Sequence, residues 1–537
     1  MHFVKVSDEI IWIPEWAKCW HVRLAVCSGL MVTTLWFLLT WQYDFDLSDE
    51  GYYWYGAQRV LRGEVPILDF MSYDIGRYYW AAAIMHLVGN DGIFGARLSA
   101  VIYQAFGTCL GVYVCLISFR QVGVARWIFA IIAACIMTLW VWPYYKVYDH
   151  ATSIFIVAML VLMLKSVKPF TWLLAGIGLG CAAVMGRNHG MYGAVAAAIV
   201  ITILLFKADS KRSVSVLTAF FVVGIVIGFS PNFVLMLTVK GFAGAFVESL
   251  AAMFRYGATN IGLSIPWPWS IHITWRGVVL TSIALMPSIG FVSLLAFPLL
   301  CVLALNWHRN KLTESGRLAA MAAVAASIPY AHYAFSRADV THLTLGIFPA
   351  LIGWLVLASA ASGVWPIIFS LMLLALSGAT LGDSQFYLAK NLIHKNMIKV
   401  NVDSEMLWMN LKLAEHIEIA RTVFLAQPTA IGNFLAQPDM PGLHAIYRAK
   451  MPLWEIYSLV PMYANLQKSE IARLDEVRPR LIFLSDHALD GRTEYRYSRT
   501  HPLIFSWIND NYQPINLGGQ AHDADFKVYV PKSAAVY

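Results

Sequence analysis

The chain has 537 residues, of which 59% are hydrophobic and 13% charged, and its formal net charge is +7. Soluble domains carry about 25% charged residues, so this composition excludes a soluble globular enzyme. It also excludes intrinsic disorder. The seven cysteines show no CxxC-type metal spacing. The chain is therefore predicted to be a polytopic membrane protein, and the position of its basic residues decides whether nucleic acid is a plausible partner.

Apolar segments recur along the first 381 residues at lengths near the roughly 20 residues that cross a bilayer. The segment Glu9–Trp20, rich in Trp and Ile, is predicted to lie along the membrane surface before the first span. Two loops are long, 43–94 and 239–275, and both are predicted to lie on the outer side. Eleven transmembrane helices are predicted, at 24–42, 95–119, 127–143, 151–165, 170–186, 191–206, 213–238, 276–305, 317–334, 343–360 and 364–381.

The basic residues indicate the orientation of these spans. With a cytoplasmic N-terminus, the inner loops hold 13 basic and 5 acidic residues, whereas the outer loops and span ends hold 10 basic and 11 acidic residues. Short cytoplasmic loops are enriched in Lys and Arg. We therefore expect the N-terminus in the cytoplasm and the C-terminus outside, and the positive charge reports topology rather than nucleic-acid binding.

The composition changes after residue 381. Apolar runs shorten to strand length, as in 481–484 and 526–530, and a polar helix-like stretch covers 405–425. This alternation is typical of a small α/β or α+β domain. We predict two domains, a transmembrane domain at 1–381 and a soluble outer domain at 382–537, which has 16 basic and 16 acidic residues.

The first outer loop begins with carboxylates. Asp44, Asp46, Asp49 and Glu50 follow directly on the first span, and Asp49-Glu50 opens a helix-like run over 51–61. A carboxylate held at the end of a helix suits a general base at the membrane surface. The alternative is a helix cap followed by a solvated acidic loop.

Further polar groups lie at other predicted outer span ends. Asp74 and Arg77 form a candidate acid–base pair, or a local ion pair within an aromatic belt. Several such clusters on one side of the membrane favour a cavity lined by carboxylates, His, Arg and Lys. The cavity residues are Asp44, Asp46, Asp74, Asp149, His150, His189, Asp339 and His342.

Such a cavity suits a lipid phosphate, because Arg binds phosphate through paired hydrogen bonds and Lys acts as a point charge. The loop 242–275 is either an amphipathic lid over a prenyl chain or an interfacial anchor containing tryptophan. The candidate phosphate-binding residues are Arg77, Lys146, Arg187, Arg255 and Arg337.

These residues carry a resemblance to a known superfamily. An uncleaved first span, the segment Leu47-Ser-Asp-Glu-Gly-Tyr-Tyr53 and the segment Gly63-Glu-Val-Pro-Ile-Leu-Asp-Phe70 resemble the GT-C integral-membrane glycosyltransferases. The similarity is to the bacterial branch that contains the protein O-mannosyltransferases and the lipid A aminoarabinose transferase, and it extends over the whole chain. Segments 146–150, 187–190 and 337–343 resemble signature ends of one bacterial subgroup.

The resemblance implies a multi-pass enzyme of the bacterial inner membrane with a periplasmic active site. It would transfer a hexose or pentose from a polyprenyl-phosphate donor, with inversion, to an envelope lipid, glycan or protein, lipopolysaccharide among them. Asp49 would be the general base and Glu50 would orient the acceptor or support Asp49, while Asp44 and Asp46 are extra acids upstream of the family pair and are alternative bases.

The phosphate leaving group needs a fixed cation rather than a proton donor. No cofactor or metal is expected, although the acids with His150, His189 and His342 leave a divalent cation open. Two other functions remain: a polysaccharide polymerase or ligase using a diphosphate-linked oligosaccharide, and a lipid-linked-sugar flippase, which would need charges near the centre of its spans.

Overall fold

The computed structural model describes residues 15–207, 211–256, 260–271, 278–307, 311–385, 397–515 and 526–532. The predicted surface segment 9–20 lies partly outside these residues. From Glu15 onward it belongs to the first long helix, which continues without a break into the first span.

Helices account for most of the described residues up to 385. Their order follows the predicted spans, with two extra helices in the first long loop and one in the second. They are α1 Glu15–Thr40, α2 Asp49–Leu61, α3 Gly76–Val88, α4 Ile93–Leu116, α5 Val124–Leu139, α6 Val147–Lys165, α7 Pro169–Met185, α8 Arg187–Lys207, α9 Lys211–Gly228, α10 Ser230–Thr238, α11 Phe242–Tyr256, α12 Val278–Trp307, α13 Glu314–Ser336, α14 Val340–Ala358, α15 Trp365–Thr380 and α16 Gly382–Gln385.

The described residues contain nine helices that are long and apolar enough to cross a membrane. Two more predicted spans appear as the shorter apolar helices α5 and α7. The chain is thus a helical polytopic membrane protein. The start of the span predicted at 276–305 lies outside the described residues, since α12 is described from Val278.

One predicted span is interrupted. The sequence indicates a single helix over 213–238, whereas the structure ends α9 at Gly228 and starts α10 at Ser230. Pro231 lies at the start of α10. Proline has no N–H to donate and disfavours helical geometry in the preceding residue, so it begins a helix more readily than it continues one.

The C-terminal domain combines a hairpin with a mixed sheet. The hairpin pairs β1 (Met397–Val402) with β2 (Glu405–Asn410), and the second sheet has the order β3-β4-β6-β5. Strands β3 and β4 are parallel, and β6 is antiparallel to both β4 and β5. These strands are β3 Phe434–Gln437, β4 Leu481–Ser485, β5 Tyr512–Pro514 and β6 Phe526–Pro531, and the helices are α17 Leu411–Ala426, α18 Pro441–Ile446, α19 Ala464–Val477, α20 Tyr497–Thr500 and α21 Pro502–Asn511.

The strands predicted at 481–484 and 526–530 are confirmed as β4 and β6. The helix predicted over 405–425 is wrong in its first six residues, which form β2. Here pairing with β1 prevails over the local pattern, and helix α17 starts only after Asn410, whose side chain accepts a hydrogen bond from the Leu413 N–H at 2.9 Å.

Candidate active site

Helix α2 begins at a turn built by Asp46. The Asp46 carboxylate accepts hydrogen bonds from the backbone N–H of Ser48 at 2.9 Å and from that of Asp49 at 3.0 Å. It also accepts one from the Tyr145 hydroxyl at 3.1 Å. Free N–H groups and the helix dipole favour anionic groups at this end. The turn therefore fixes Asp49 as the first residue of a rigid helix.

The Asp49 carboxylate lies between two donors. Lys146 Nζ is 3.1 Å from Oδ2, and the Tyr457 hydroxyl donates to Oδ1 at 3.0 Å. The Asp49 side chain keeps 32% of its exposure. Burial by itself would raise the pKa of Asp49, but the Lys146 ammonium, with the hydrogen bonds from Lys146 and Tyr457, lowers it below the ordinary value. Asp49 is consequently an ionised carboxylate within reach of a ligand.

The neighbouring acid is in a different environment. Burial, with the nearby Asp49 charge, raises the pKa of Asp46 to about 7. Burial also raises the pKa of Asp44. The Asp44 carboxylate accepts a hydrogen bond from the adjacent Phe45 N–H at 3.0 Å, and the Asp44 backbone N–H donates to the Trp408 carbonyl at 2.7 Å. Asp44 thus joins the first loop to strand β2. Of these three acids, Asp49 is the one whose ionised form is stabilised by an ammonium and a hydroxyl.

Glu50 is buried beneath the surface of the loop. Both its oxygens accept hydrogen bonds from Arg97, at 2.7 and 2.9 Å, and the two residues are 1% and 3% exposed. The remaining Arg97 donors bind the backbone carbonyls of Trp41, Tyr43 and Asp44. This geometry favours the second of the two predicted roles for Glu50, which was support for Asp49.

The C-terminal domain docks directly on α2. A Cβ added to Gly51 would lie 2.5 Å from the backbone nitrogen of Gly442, so the two glycines allow two backbones to touch. The Gly442 N–H donates to the Leu47 carbonyl at 2.9 Å, and the Ser48 hydroxyl donates to the Asp439 carbonyl at 2.7 Å. The domain therefore lies at the same end of the helix bundle as the first long loop.

Hydrogen bonds between the C-terminal domain and the first long loop place Tyr457 beside Asp49. The Met451 N–H donates to the Tyr55 hydroxyl at 2.6 Å, and the Met71 N–H donates to the Trp454 carbonyl at 2.8 Å. The Tyr457 ring stacks on Tyr52 with centroids 5.1 Å apart. Sequence reasoning missed Tyr457, and no local signal distinguishes it from other tyrosines.

A second group of charges lies beside the Asp49–Lys146 pair. Arg77 donates to Asp74 at 3.0 Å and lies 3.7 Å from Asp149. Asp149 also accepts hydrogen bonds from His189 Nε2 and from the Tyr333 hydroxyl, each at 3.0 Å. Asp74 and Arg77 thus form an ion pair, and their role as an acid–base pair stays a prediction. Asp149 and His189, far apart in sequence, meet there as well.

The end of α13 contributes a third group. Arg337 donates to Asp339 and to Asp490 of the C-terminal domain, each at 2.8 Å. Asp339 caps α14 by accepting the His342 N–H, and it also accepts His342 Nδ1, both at 2.8 Å. Burial alone would raise the pKa of Asp339, but the hydrogen bonds from His342 and Arg337 lower it to about 2. His342 in turn contributes to the lowered pKa of Asp49, so this group borders the same site.

Arg187 differs from the other predicted cations. Its backbone N–H donates to Asp74 at 2.9 Å, its guanidinium donates to the Ser249 hydroxyl at 2.9 Å, and it lies over the Phe246 ring. Among the described residues no carboxylate forms an ion pair with it, whereas Arg77, Lys146 and Arg337 each have one. Arg187 is therefore the cation most available to an anionic ligand.

Two predicted residues do not join these groups. Arg255 is exposed on α11 and pairs with Glu248 at 2.5 Å. His150 is fully buried, with Nε2 3.1 Å from the Thr344 hydroxyl and its ring against Phe348. His150 therefore contributes to packing between α6 and α14.

Within the part of the chain that the structure describes, no three His, Cys, Asp or Glu side chains are arranged to hold a metal ion. The Asp49 carboxylate is in contact with the Lys146 ammonium. Metal dependence stays a prediction.

No protein-family model and no curated protein matches the chain. Among solved structures, the apo crystal structure of an Archaeoglobus fulgidus oligosaccharyltransferase is similar, with 12% identity and a TM-score of 0.42, over 88% of this chain and 70% of that one. The complex of that oligosaccharyltransferase with Zn and sulfate gives 12% identity and a TM-score of 0.37, over 86% and 67% of the two chains. Similarity at this level assigns neither activity nor substrate.

Proposed function

We propose that the chain is a glycosyltransferase of a bacterial inner membrane. It transfers a single sugar from a polyprenyl-phosphate donor to an envelope acceptor on the periplasmic side. One observation carries the proposal: an ionised and partly exposed carboxylate, Asp49, lies 3.1 Å from the Lys146 ammonium at the rigid start of a helix. A base and a cation in contact suit a reaction in which a hydroxyl attacks and an anion leaves.

In this mechanism Asp49 removes the proton from the acceptor hydroxyl as the oxygen attacks the anomeric carbon. The bond between that carbon and the phosphate oxygen breaks, with inversion, and the proton stays on Asp49. The leaving phosphate carries a negative charge, which Arg187 stabilises without giving up a proton. Lys146 adds to this stabilisation as Asp49 takes up the proton and loses the charge that neutralised it. Glu50 holds the start of α2 through Arg97 and so keeps Asp49 in place.

The pairing of charges supports a donor with one phosphate. Arg77, Lys146 and Arg337 are each beside a carboxylate, so little of their charge is left for a ligand. Arg187 is the exception among the described candidate cations. A diphosphate would meet the carboxylates of Asp49, Asp74 and Asp149 with only one unpaired cation, which disfavours the polymerase or ligase alternative.

The surface next to Arg187 suits a prenyl chain. Its guanidinium lies over Phe246 of α11. The neighbouring α10 and α11 expose apolar side chains, with Leu237, Val247 and Phe254 exposed by 87%, 62% and 84%. Exposed apolar groups on membrane helices contact lipid chains. This continuity supports a donor whose phosphate is bound at Arg187 and whose chain runs along α10 and α11.

The distribution of charge argues against a flippase. Arg97 is the fifth residue of α4, Asp149 the third of α6 and His189 the third of α8, so these buried ionisable groups lie in the first turns of their helices. A path across the membrane needs polar groups near the bilayer midplane.

Reconstitution tests the proposal directly. Wild-type protein in vesicles is mixed with polyprenyl-phosphate sugars and envelope extract, and sugar transfer is followed by mass spectrometry. Asp49→Asn is expected to lower the transfer rate at least 100-fold with donor binding unchanged, and Asp510→Asn, an exposed carboxylate on α21, serves as the matched control. Transfer by Asp49→Asn at the wild-type rate refutes the base assignment. Absence of donor turnover by the wild-type protein refutes the proposed function.

A further inference from the structure

A second concave surface lies next to the start of α2. It is a pocket of about 330 Å³ between the first loop and the C-terminal domain. Its lining includes Phe45 and Asp46 from the loop, and Lys412, Asp439, Ser485 and His487 from the domain. Ligand sites typically have volumes of about 300–1,000 Å³, so the pocket has room for about one sugar ring.

The chemistry of the lining selects among ligands. Ser485 Oγ lies 2.9 Å from His487 Nδ1, and His487 Nε2 lies 3.7 Å from Asp439 Oδ2. Carboxylates accept hydrogen bonds, an ammonium donates them, and Ser and His do both. An alkyl chain would displace water from these groups and would offer no hydrogen bonds in place of those lost. A phosphate would face two carboxylates, whereas the hydroxyls of a neutral sugar match both donors and acceptors.

Asp46 connects this pocket to the proposed base. It lines the pocket, and its carboxylate accepts the Asp49 N–H at 3.0 Å. Ser48, which also lines the pocket, donates to the Asp439 carbonyl of the C-terminal domain. A ligand here therefore contacts the residues that immediately precede Asp49.

We propose that this pocket binds the acceptor, an uncharged hydroxyl-rich glycan, beside Asp49. The assignment rests on the proposed function, because it presupposes that Asp49 activates an acceptor hydroxyl. The C-terminal domain then has two parts in the reaction: Tyr457 contacts the base, and the wall formed by Lys412 and His487 selects the acceptor.

Saturation-transfer NMR on the full chain in lipid nanodiscs tests the pocket without requiring transfer. The probes are methyl glycosides of common neutral hexoses, with inorganic phosphate and a short-chain phosphatidylglycerol for comparison. Wild type is expected to bind at least one glycoside, and Lys412→Ala and His487→Ala each to weaken its binding about tenfold. Lys468→Ala, which removes an exposed lysine on α19, is the matched control and is expected to bind like wild type.

The outcomes separate the two proposals. Asp49→Asn should bind the glycoside normally while failing to transfer sugar. Unchanged glycoside binding in both pocket variants overturns the assignment, as does preferential binding of phosphate or of the phospholipid, or absence of glycoside binding by wild type. The proposed function is tested separately by the transfer assay, so none of these binding results decides it.

Discussion

Replacing Glu50 by Gln is expected to destabilise the whole protein. The substitution keeps the shape of the side chain but removes its charge, leaving the Arg97 guanidinium buried at 3% exposure without a counter-ion. One of the two charge-assisted hydrogen bonds, at 2.7 and 2.9 Å, loses its acceptor. Removing one partner of a buried ion pair costs about 3–5 kcal/mol.

The lower end of that range is expected here. Arg97 retains the backbone carbonyls of Trp41, Tyr43 and Asp44 as acceptors, so its donors remain largely satisfied. We therefore expect Glu50→Gln to cost about 3 kcal/mol. Arg97→Met leaves the Glu50 carboxylate buried and unpaired, so it should cost at least as much. The double variant buries no uncompensated charge. Its destabilisation should therefore be about 2 kcal/mol smaller than the sum of the two single destabilisations.

Unfolding in mixed detergent and SDS micelles, followed by tryptophan fluorescence, measures these differences. Glu415→Gln, on the exposed side of α17, is the control, and surface changes of this kind stay within about 0.5 kcal/mol. A Glu50→Gln variant as stable as wild type would refute the reasoning. So would a double variant whose cost equals the sum, because the two charges would then not be coupled.

Three further changes test the site. Arg187→Gln should raise the KM for the donor about tenfold or more, because one charge-assisted contact with phosphate is lost, and an unchanged KM would remove this residue from the phosphate site. Tyr457→Phe removes a hydrogen-bond donor to ionised Asp49, so the pKa of Asp49 should rise. The acid limb of the plot of kcat/KM against pH should then move to higher pH, and an acid limb that stays in place contradicts this. Gly51→Ala should cost about 1–3 kcal/mol by forcing α2 away from Gly442, visible as faster proteolysis of the C-terminal domain, and wild-type protease resistance would show that this contact adapts freely.

The helical part of the fold was largely predictable from the sequence, because bilayer thickness imposes span length directly on composition. All eleven predicted spans correspond to helices, with α9 and α10 dividing one of them at Pro231. Strand β2 was not predictable, since Glu405–Asn410 has a helix-compatible pattern and becomes a strand only through pairing with β1.

The site was predictable in part for a similar reason. Asp49 and Lys146 each lie at the end of a predicted outer element, so their meeting follows from topology. The Tyr457 contact depends on how a separate domain docks, and no local pattern encodes that. The partner of Glu50 was also missed, because Arg97 follows the start of a span and is expected from sequence to be a flanking charge.

The contact between Asp49 and Tyr457 joins residues 408 positions apart. During synthesis the helices up to α15 enter the membrane well before Tyr457 leaves the ribosome. The proposed base therefore acquires its second hydrogen bond only after the C-terminal domain has docked on α2. The order of synthesis thus keeps the site incomplete until the segment containing Tyr457 has docked. A chain shortened before Tyr457 would insert into the membrane with Asp49 lacking one of its two partners.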